Sequence, residues 1–96
     1  MIMYRIIDGR GSGKTSRLML LAKETGAAIA CSNPWAMAEK AKAYGIVGID
    51  FISYEDLFNK DDFTIRGRKI LIDEIENFVQ YQLPGKLIGY TLSNED

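Results

Sequence analysis

A glycine at every second position from residue 9 to residue 13 is the feature that most constrains this chain. These glycines (Gly9, Gly11 and Gly13) separate a short apolar run at residues 1–8 from a segment, Lys14–Thr25, in which apolar residues recur at helical spacing. Glycines let the backbone turn tightly, with successive N–H groups pointing into one concave surface, and the start of a helix adds its positive dipole end. The pattern predicts a strand, an anion-binding loop and a helix in direct succession.

The residues after the third glycine fit the same chemistry. Lys14 is placed to reach the β- and γ-phosphates of a nucleotide, and the Thr15 hydroxyl to ligate Mg²⁺. The usual loop, G-x-x-x-x-G-K-[ST], has glycine where this chain has Asp8, so Gly9 comes one position late. A glycine-rich turn that merely joins a strand to a helix is the structural alternative. We predict a phosphate-binding set that consists of Gly9, Arg10, Gly11, Ser12, Gly13, Lys14, Thr15 and Ser16.

Two carboxylates follow a later apolar run. Residues 70–72 are Ile-Leu-Ile, and Asp73 and Glu74 come directly after them. In a nucleotide site, the acid that ends such a strand orients Mg²⁺, which is the role predicted for Asp73. Glu74 is placed to accept a hydrogen bond from the water that attacks the γ-phosphate. Alternatively, Asp73 simply caps the next helix, where both acids are favourable at its positive end.

The whole chain alternates between strand and helix patterns. With 96 residues, it predicts one domain over residues 1–96. Strict alternation predicts an α/β fold with a parallel sheet, right-handed crossovers and helices on both faces, with ligands bound beyond the carboxyl ends of the strands. The predicted strands are residues 1–8, 27–31, 48–53, 69–73 and 86–93; the predicted helices are residues 14–25, 34–44 and 74–82, with a one-turn helix after the capping-box pattern at residues 53–56.

Composition excludes several classes of function. The chain has no histidine and a single cysteine, Cys31, so histidine-based acid–base chemistry and zinc clusters built on histidine or several cysteines are excluded. A net charge of −1 gives no general electrostatic attraction to nucleic acid or a membrane surface. No apolar run approaches the roughly 20 residues that span a bilayer, and the N-terminus has no signal-peptide pattern. We therefore expect an intracellular protein without a membrane partner.

The glycine loop and the Ile-Leu-Ile-Asp-Glu segment together resemble the RecA-like, catalytic-glutamate division of the P-loop NTPases. The sequence Gly-Arg-Gly-Ser-Gly-Lys-Thr is similar to the loop of phage terminase large subunits and related viral motors. The sequence Ala-Ile-Ala-Cys-Ser-Asn-Pro resembles part of a helicase core. The resemblance implies a slow, Mg²⁺-dependent ATPase in the cytoplasm of a bacterial or virus-infected cell. It also implies a three-layer domain with a mainly parallel five-stranded sheet in the order 1-5-4-2-3.

The same resemblance implies further roles for single residues. Lys14, Glu74 and Arg10 become the catalytic set, with Arg10 as a finger on the γ-phosphate; an ion pair from Arg10 to Asp8 or Glu74 is the alternative. Thr91 or Ser93, in the predicted fifth strand, becomes a γ-phosphate sensor, unless it only pairs with a neighbouring strand.

The implied strand order leaves the first strand at an edge of the sheet. An open edge is a template for association, so we expect residues 1–7 to pair with another copy of the chain or with a partner protein. A nucleic-acid partner is implied by the resemblance alone.

Two other functions stay open. A nucleotide-sensing or assembly module would bind ATP without turning it over. A nucleoside kinase is the second, because Gly-Ser-Gly-Lys-Thr-Ser-Arg-Leu with Ile-Asp-Glu is similar to thymidine kinases, where the glutamate deprotonates a sugar hydroxyl. The chain lacks that family's zinc cysteines and the region that covers the substrate.

Overall fold

Three parallel strands form one sheet in the part of the chain that the structure describes. The computed structural model describes residues 3–7, 13–58 and 65–92. The strands are β1 (Ala28–Cys31), β2 (Phe51–Ser53) and β3 (Ile70–Ile72), in the order β2-β1-β3. Every residue of β1 is buried, which fits a short run of small and apolar side chains paired on both sides.

The described residues also form three helices and one short turn, which alternate with the strands along the chain. The helices are α1 (Lys14–Thr25), α2 (Pro34–Ala43) and α3 (Ile75–Gln82), and a 3₁₀ turn (Glu55–Phe58) follows β2. Within the described residues, no helix is long and apolar enough to cross a membrane.

The helix boundaries follow the sequence signals. Gly26 ends α1 in the left-handed conformation at φ 76°, where a side chain would be strained. The Asn33 side chain accepts a hydrogen bond from the Ala36 N–H at 3.1 Å and so caps α2. Ser53 and Asp56 bond each other's backbone N–H at 3.1 and 3.2 Å, which is the predicted capping box.

One core cluster lies between the sheet and two helices. Ile29 and Cys31 alternate along β1 and therefore point to the same face. Both belong to one buried cluster with side chains of α1 and α2, namely Leu18, Met19, Ala22, Met37 and Ala41. Helices α1 and α2 therefore pack side by side on one face of the sheet.

The predicted five-stranded sheet in the order 1-5-4-2-3 is wrong. The three strands that form are those predicted second, third and fourth, and their ladder has three members. Described residues 3–7 and 86–92 form no strand. Met3 and Ile7 are 62% and 72% exposed, and Ile88 is 94% exposed, so neither segment is a buried strand.

Side-chain hydrogen bonds to the C-terminal segment explain this difference. The Gln80 amide of α3 donates to the Gly85 carbonyl and accepts from the Leu87 N–H, both at 2.6 Å. The Tyr90 hydroxyl donates to the carboxylate of Glu76, also in α3. The segment therefore follows α3 instead of β3. The predicted first strand loses the neighbour that its place in the order requires, and only Ile6 of residues 3–7 packs against the core.

Candidate phosphate-binding site at the carboxyl ends of the strands

The two predicted carboxylates form a strained turn after β3, which we call the acidic turn (Asp73 and Glu74). The Asp73 N–H donates to the Ala30 carbonyl at 2.9 Å and so continues the ladder with β1. Glu74 has φ 57° and ψ 75°, and it is the only non-glycine residue with positive φ in the described part of the chain. A left-handed conformation is unfavourable for a residue with a Cβ atom. Such strain is concentrated at functional sites, where the surrounding structure enforces it.

The start of α1 lies against this turn. Gly13 has φ 83° and precedes the helix, and its carbonyl accepts from the Arg17 N–H at 3.1 Å. Lys14 is the first helical residue, and its Nζ atom lies 3.8 Å from Oε1 of Glu74. Both side chains are partly exposed. The fold thus brings the predicted phosphate-binding lysine to the predicted water-positioning glutamate.

Charges of both signs act on the pKa of Asp73. Burial raises the pKa of the Asp73 carboxyl, and the negative charge of Glu74 raises it further. The positive charges of Lys40 and Lys14 act in the opposite direction. A half-buried carboxylate with a second acid beside it is a group whose charged form a bound cation would stabilise.

Lys40 is a residue that sequence reasoning missed. It is on α2, and its charge acts on Asp73 across the carboxyl edge of the sheet. Its position three residues after the buried Met37 gives no chemical signal by itself. The right-handed crossover from β1 to β2 fixes the face of the sheet that α2 covers, but only the tertiary fold shows that Lys40 acts on Asp73.

Tyr54 is the second residue that was missed. It follows β2, is 4% exposed, and its hydroxyl donates to the Asp73 carbonyl at 2.7 Å, with the Glu74 carbonyl at 3.4 Å. Burial, followed by the charges of Asp73, Cys31 and Glu74, raises the pKa of Tyr54 to about 12. The phenol is therefore protonated at neutral pH and available as a donor.

Cys31 lies at the carboxyl end of β1 beneath these groups. Its thiol donates to the Ile52 carbonyl at 3.7 Å and is buried. Burial and the negative charge of Asp73 raise the pKa of Cys31 to about 11, and a hydrogen bond from the Asn33 backbone lowers it. Such a thiol is a packing group and not a nucleophile.

The structure describes only part of the predicted site set. Gly9, Arg10, Gly11, Ser12 and Ser93 lie outside the described residues. Gly13, Lys14, Thr15 and Ser16 are at the start of α1, and the Ser16 hydroxyl donates to the Gly13 carbonyl at 3.0 Å. Thr91 is exposed, in a segment without regular structure beside α3, so it is not on the strand from which a sensor was predicted to act.

The residues that could hold Mg²⁺ are Thr15 and Asp73. In the described part of the chain, no three histidine, cysteine, aspartate or glutamate side chains form a metal-binding group. Magnesium at nucleotide sites is held by one or two protein oxygens, with the substrate phosphates and water completing its shell. The first-turn hydroxyl of Thr15 and the half-buried carboxylate of Asp73, whose charged form is disfavoured without a cation, fit that donor set.

Tyr54 also lines a groove. Its volume is about 390 Å³, and it is lined by Ser32, Ser53, Tyr54, Glu55, Asn77, Gln80 and Tyr81. Tyr54 therefore forms part of this groove and also contacts the backbone of the acidic turn.

Comparisons with known proteins leave the family undetermined. No protein-family model, curated protein or solved structure matches this chain.

Proposed function

We propose that this chain binds the triphosphate of a nucleotide, ATP with Mg²⁺, at the start of α1 and hydrolyses it slowly. The observation that supports this most is the 3.8 Å separation between Lys14 Nζ and Glu74 Oε1. It joins two sequence signals that were identified independently of each other, the end of the glycine loop and the acidic end of a strand.

The geometry of this pair suits exchange with a phosphate. A separation of 3.8 Å is too long for a direct hydrogen bond, and both side chains are partly exposed. Ion pairs of this kind contribute about 1 kcal/mol or less. A phosphate oxygen can therefore replace Glu74 as the partner of Lys14 at little energetic cost. Lys40 adds positive charge to the same region.

Each residue then has a defined role. Lys14 and the backbone amides at the start of α1 bind the phosphates, together with the loop residues from Gly9 onward. Thr15 and Asp73 would hold Mg²⁺, which when bound neutralises charge on the phosphate oxygens. Glu74, released from Lys14, accepts a hydrogen bond from the attacking water. Arg10 stabilises the charge of the γ-phosphate. Catalysis of this type consists of positioning and electrostatic stabilisation.

The cellular compartment that we propose, the cytoplasm, follows from the proposed ligand. ATP and Mg²⁺ are abundant in the cytoplasm, and a single buried thiol suits a reducing compartment. Association with another copy or a partner protein through residues 1–7 also remains part of the proposal, because Met3, Tyr4 and Ile7 are exposed there. A nucleic-acid partner is supported only by the resemblance to viral motors and helicases.

A calorimetric titration with ATP, GTP and ADP, each with and without Mg²⁺, tests binding, and multiple-turnover phosphate release tests hydrolysis. We expect MgATP to bind and phosphate to be released. No heat with any nucleotide would overturn the proposal. Binding without turnover would favour a sensing module, and ATP consumption that depends on thymidine would favour a nucleoside kinase.

A further inference from the structure

The hydroxyl of Tyr54 makes its hydrogen bonds to the acidic turn. It donates to the Asp73 carbonyl at 2.7 Å, and the Glu74 carbonyl lies at 3.4 Å. These two carbonyls lie on either side of the Cα atom of Glu74, the residue in the left-handed conformation, and so span its φ and ψ bonds. A donor shared between two successive carbonyls restricts the backbone angles between them.

Tyr54 is itself held firmly on three sides. Its backbone follows β2 and enters the 3₁₀ turn, whose capping box joins Ser53 to Asp56. Its ring packs edge-on against Phe78 of α3, with centroids 5.3 Å apart, and lies 6.0 Å from the ring of Tyr81. The hydroxyl therefore acts from a fixed point, on a turn whose conformation is costly without external support.

We propose that Tyr54 is a positioning residue whose hydroxyl holds the acidic turn in its left-handed form and so directs the Asp73 and Glu74 side chains to the start of α1. The role that follows for hydrolysis rests on the proposed function. The effect on the turn itself does not, and can be measured without nucleotide.

The charge and packing around Tyr54 are consistent with this role. A tyrosine hydroxyl is protonated over the whole neutral range, so the donor is present there. Phenylalanine would keep the ring contacts with Phe78 and remove only the donor. A role in packing alone would therefore survive Tyr54→Phe, whereas a positioning role would not.

The first experiment measures coupling between the hydroxyl and the turn by urea denaturation. Glu74→Gln and Glu74→Gly both remove the charge of Glu74, but only glycine adopts positive φ without strain. With Tyr54 present, we expect the glycine variant to have a folding equilibrium constant about five- to tenfold larger than the glutamine variant. When Tyr54→Phe is added to both variants, the turn can relax. The ratio of the folding equilibrium constant of the glycine variant to that of the glutamine variant should then fall below about twofold. An equal ratio in the two backgrounds would overturn the proposal.

The second experiment separates binding from turnover. In the otherwise unchanged protein, Tyr54→Phe should lower kcat by roughly ten- to a hundredfold, while Kd for MgATP changes by less than about threefold, because misplaced catalytic groups affect the chemical step. Tyr81→Phe is the matched control, since this tyrosine packs against the ring of Tyr54 and its hydroxyl makes no hydrogen bond within the described residues. It should leave both constants unchanged.

The two experiments distinguish the two claims. An unchanged kcat in Tyr54→Phe, with active parent protein, would overturn the positioning role and leave the proposed hydrolysis intact. A parent protein without hydrolysis would overturn the proposed function, while the denaturation cycle would still decide whether Tyr54 holds the turn.

Discussion

Lys14 and Glu74 are far apart in the sequence, yet Nζ of one lies 3.8 Å from Oε1 of the other. The first begins α1 and the second precedes α3, so a single ion pair joins two helix starts at the carboxyl edge of the sheet. In the proposed function, a phosphate group replaces the glutamate as the partner of Lys14 at the positive end of α1.

Replacement of Lys14 should separate binding from folding. Because the ion pair is long and partly exposed, we expect Lys14→Met to change the free energy of unfolding by about 1 kcal/mol or less. The same change should weaken MgATP binding by at least about tenfold, since a charge-assisted contact to phosphate is lost. Calorimetry and urea denaturation measure the two effects. Lys42→Met, at an exposed lysine paired with Glu39, is the control, and equal loss of binding in both variants would contradict the assignment.

Glu74→Gln should abolish turnover and spare binding. The glutamine keeps the size of the side chain but cannot take the proton of the attacking water. Binding of MgATP should be unchanged or tighter, because the competitor for Lys14 loses its charge. Phosphate release and calorimetry on the same preparation provide the comparison, with Glu76→Gln as the control on the same helix. Hydrolysis at the parent rate would exclude Glu74 from the chemistry.

Asp73 should make stability depend on pH. Burial and Glu74 raise the pKa of the folded carboxyl above its unfolded value, so the folded state binds that proton more tightly. Stability is then lost as the pH rises through the interval between the unfolded and folded pKa values. Asp73→Asn removes this loss. We expect the variant to be more stable than the parent above the interval and to lose that advantage below the ordinary aspartate pKa, as measured by denaturation across pH. An advantage that is independent of pH would contradict the assigned cause.

Cys31 should react slowly with thiol reagents in the folded protein. With a pKa of about 11, about one thiol in a thousand is ionised at pH 8, and the sulfur is also buried. Reaction with a chromogenic disulfide should be slow in buffer and complete within seconds to minutes in denaturant. A rapid reaction in buffer would mean that the carboxyl end of β1 opens readily.

Local signals in the sequence predicted the local structure well. The helix over Lys14–Thr25, its glycine stop, the Asn33 cap and the capping box after β2 all form, because each depends on neighbouring residues. The three central strands were also found. These features need no knowledge of distant partners.

The features that the sequence did not predict depend on contacts between residues that are distant in the chain. Residues 86–92 contain the apolar pattern of a strand, but Gln80 and Glu76 on α3 supply hydrogen bonds that hold the segment elsewhere. In the site, Lys14, Asp73 and Glu74 could be predicted from motifs. Tyr54 and Lys40 could not, because a tyrosine after a strand and a lysine on a helix are common, and only the tertiary fold brings them to the turn.

The order of the sheet also determines where the molecule should open first. Strand β1 is bonded on both sides and buried, whereas no strand of the described residues covers the outer side of β3, from which the acidic turn extends. Amide protons of β1 should therefore exchange with solvent last, and those of the edge strands β2 and β3 earlier. Under the proposed function, nucleotide bound at the acidic turn would order this edge strand and would be recorded as slowed deuterium uptake along β3.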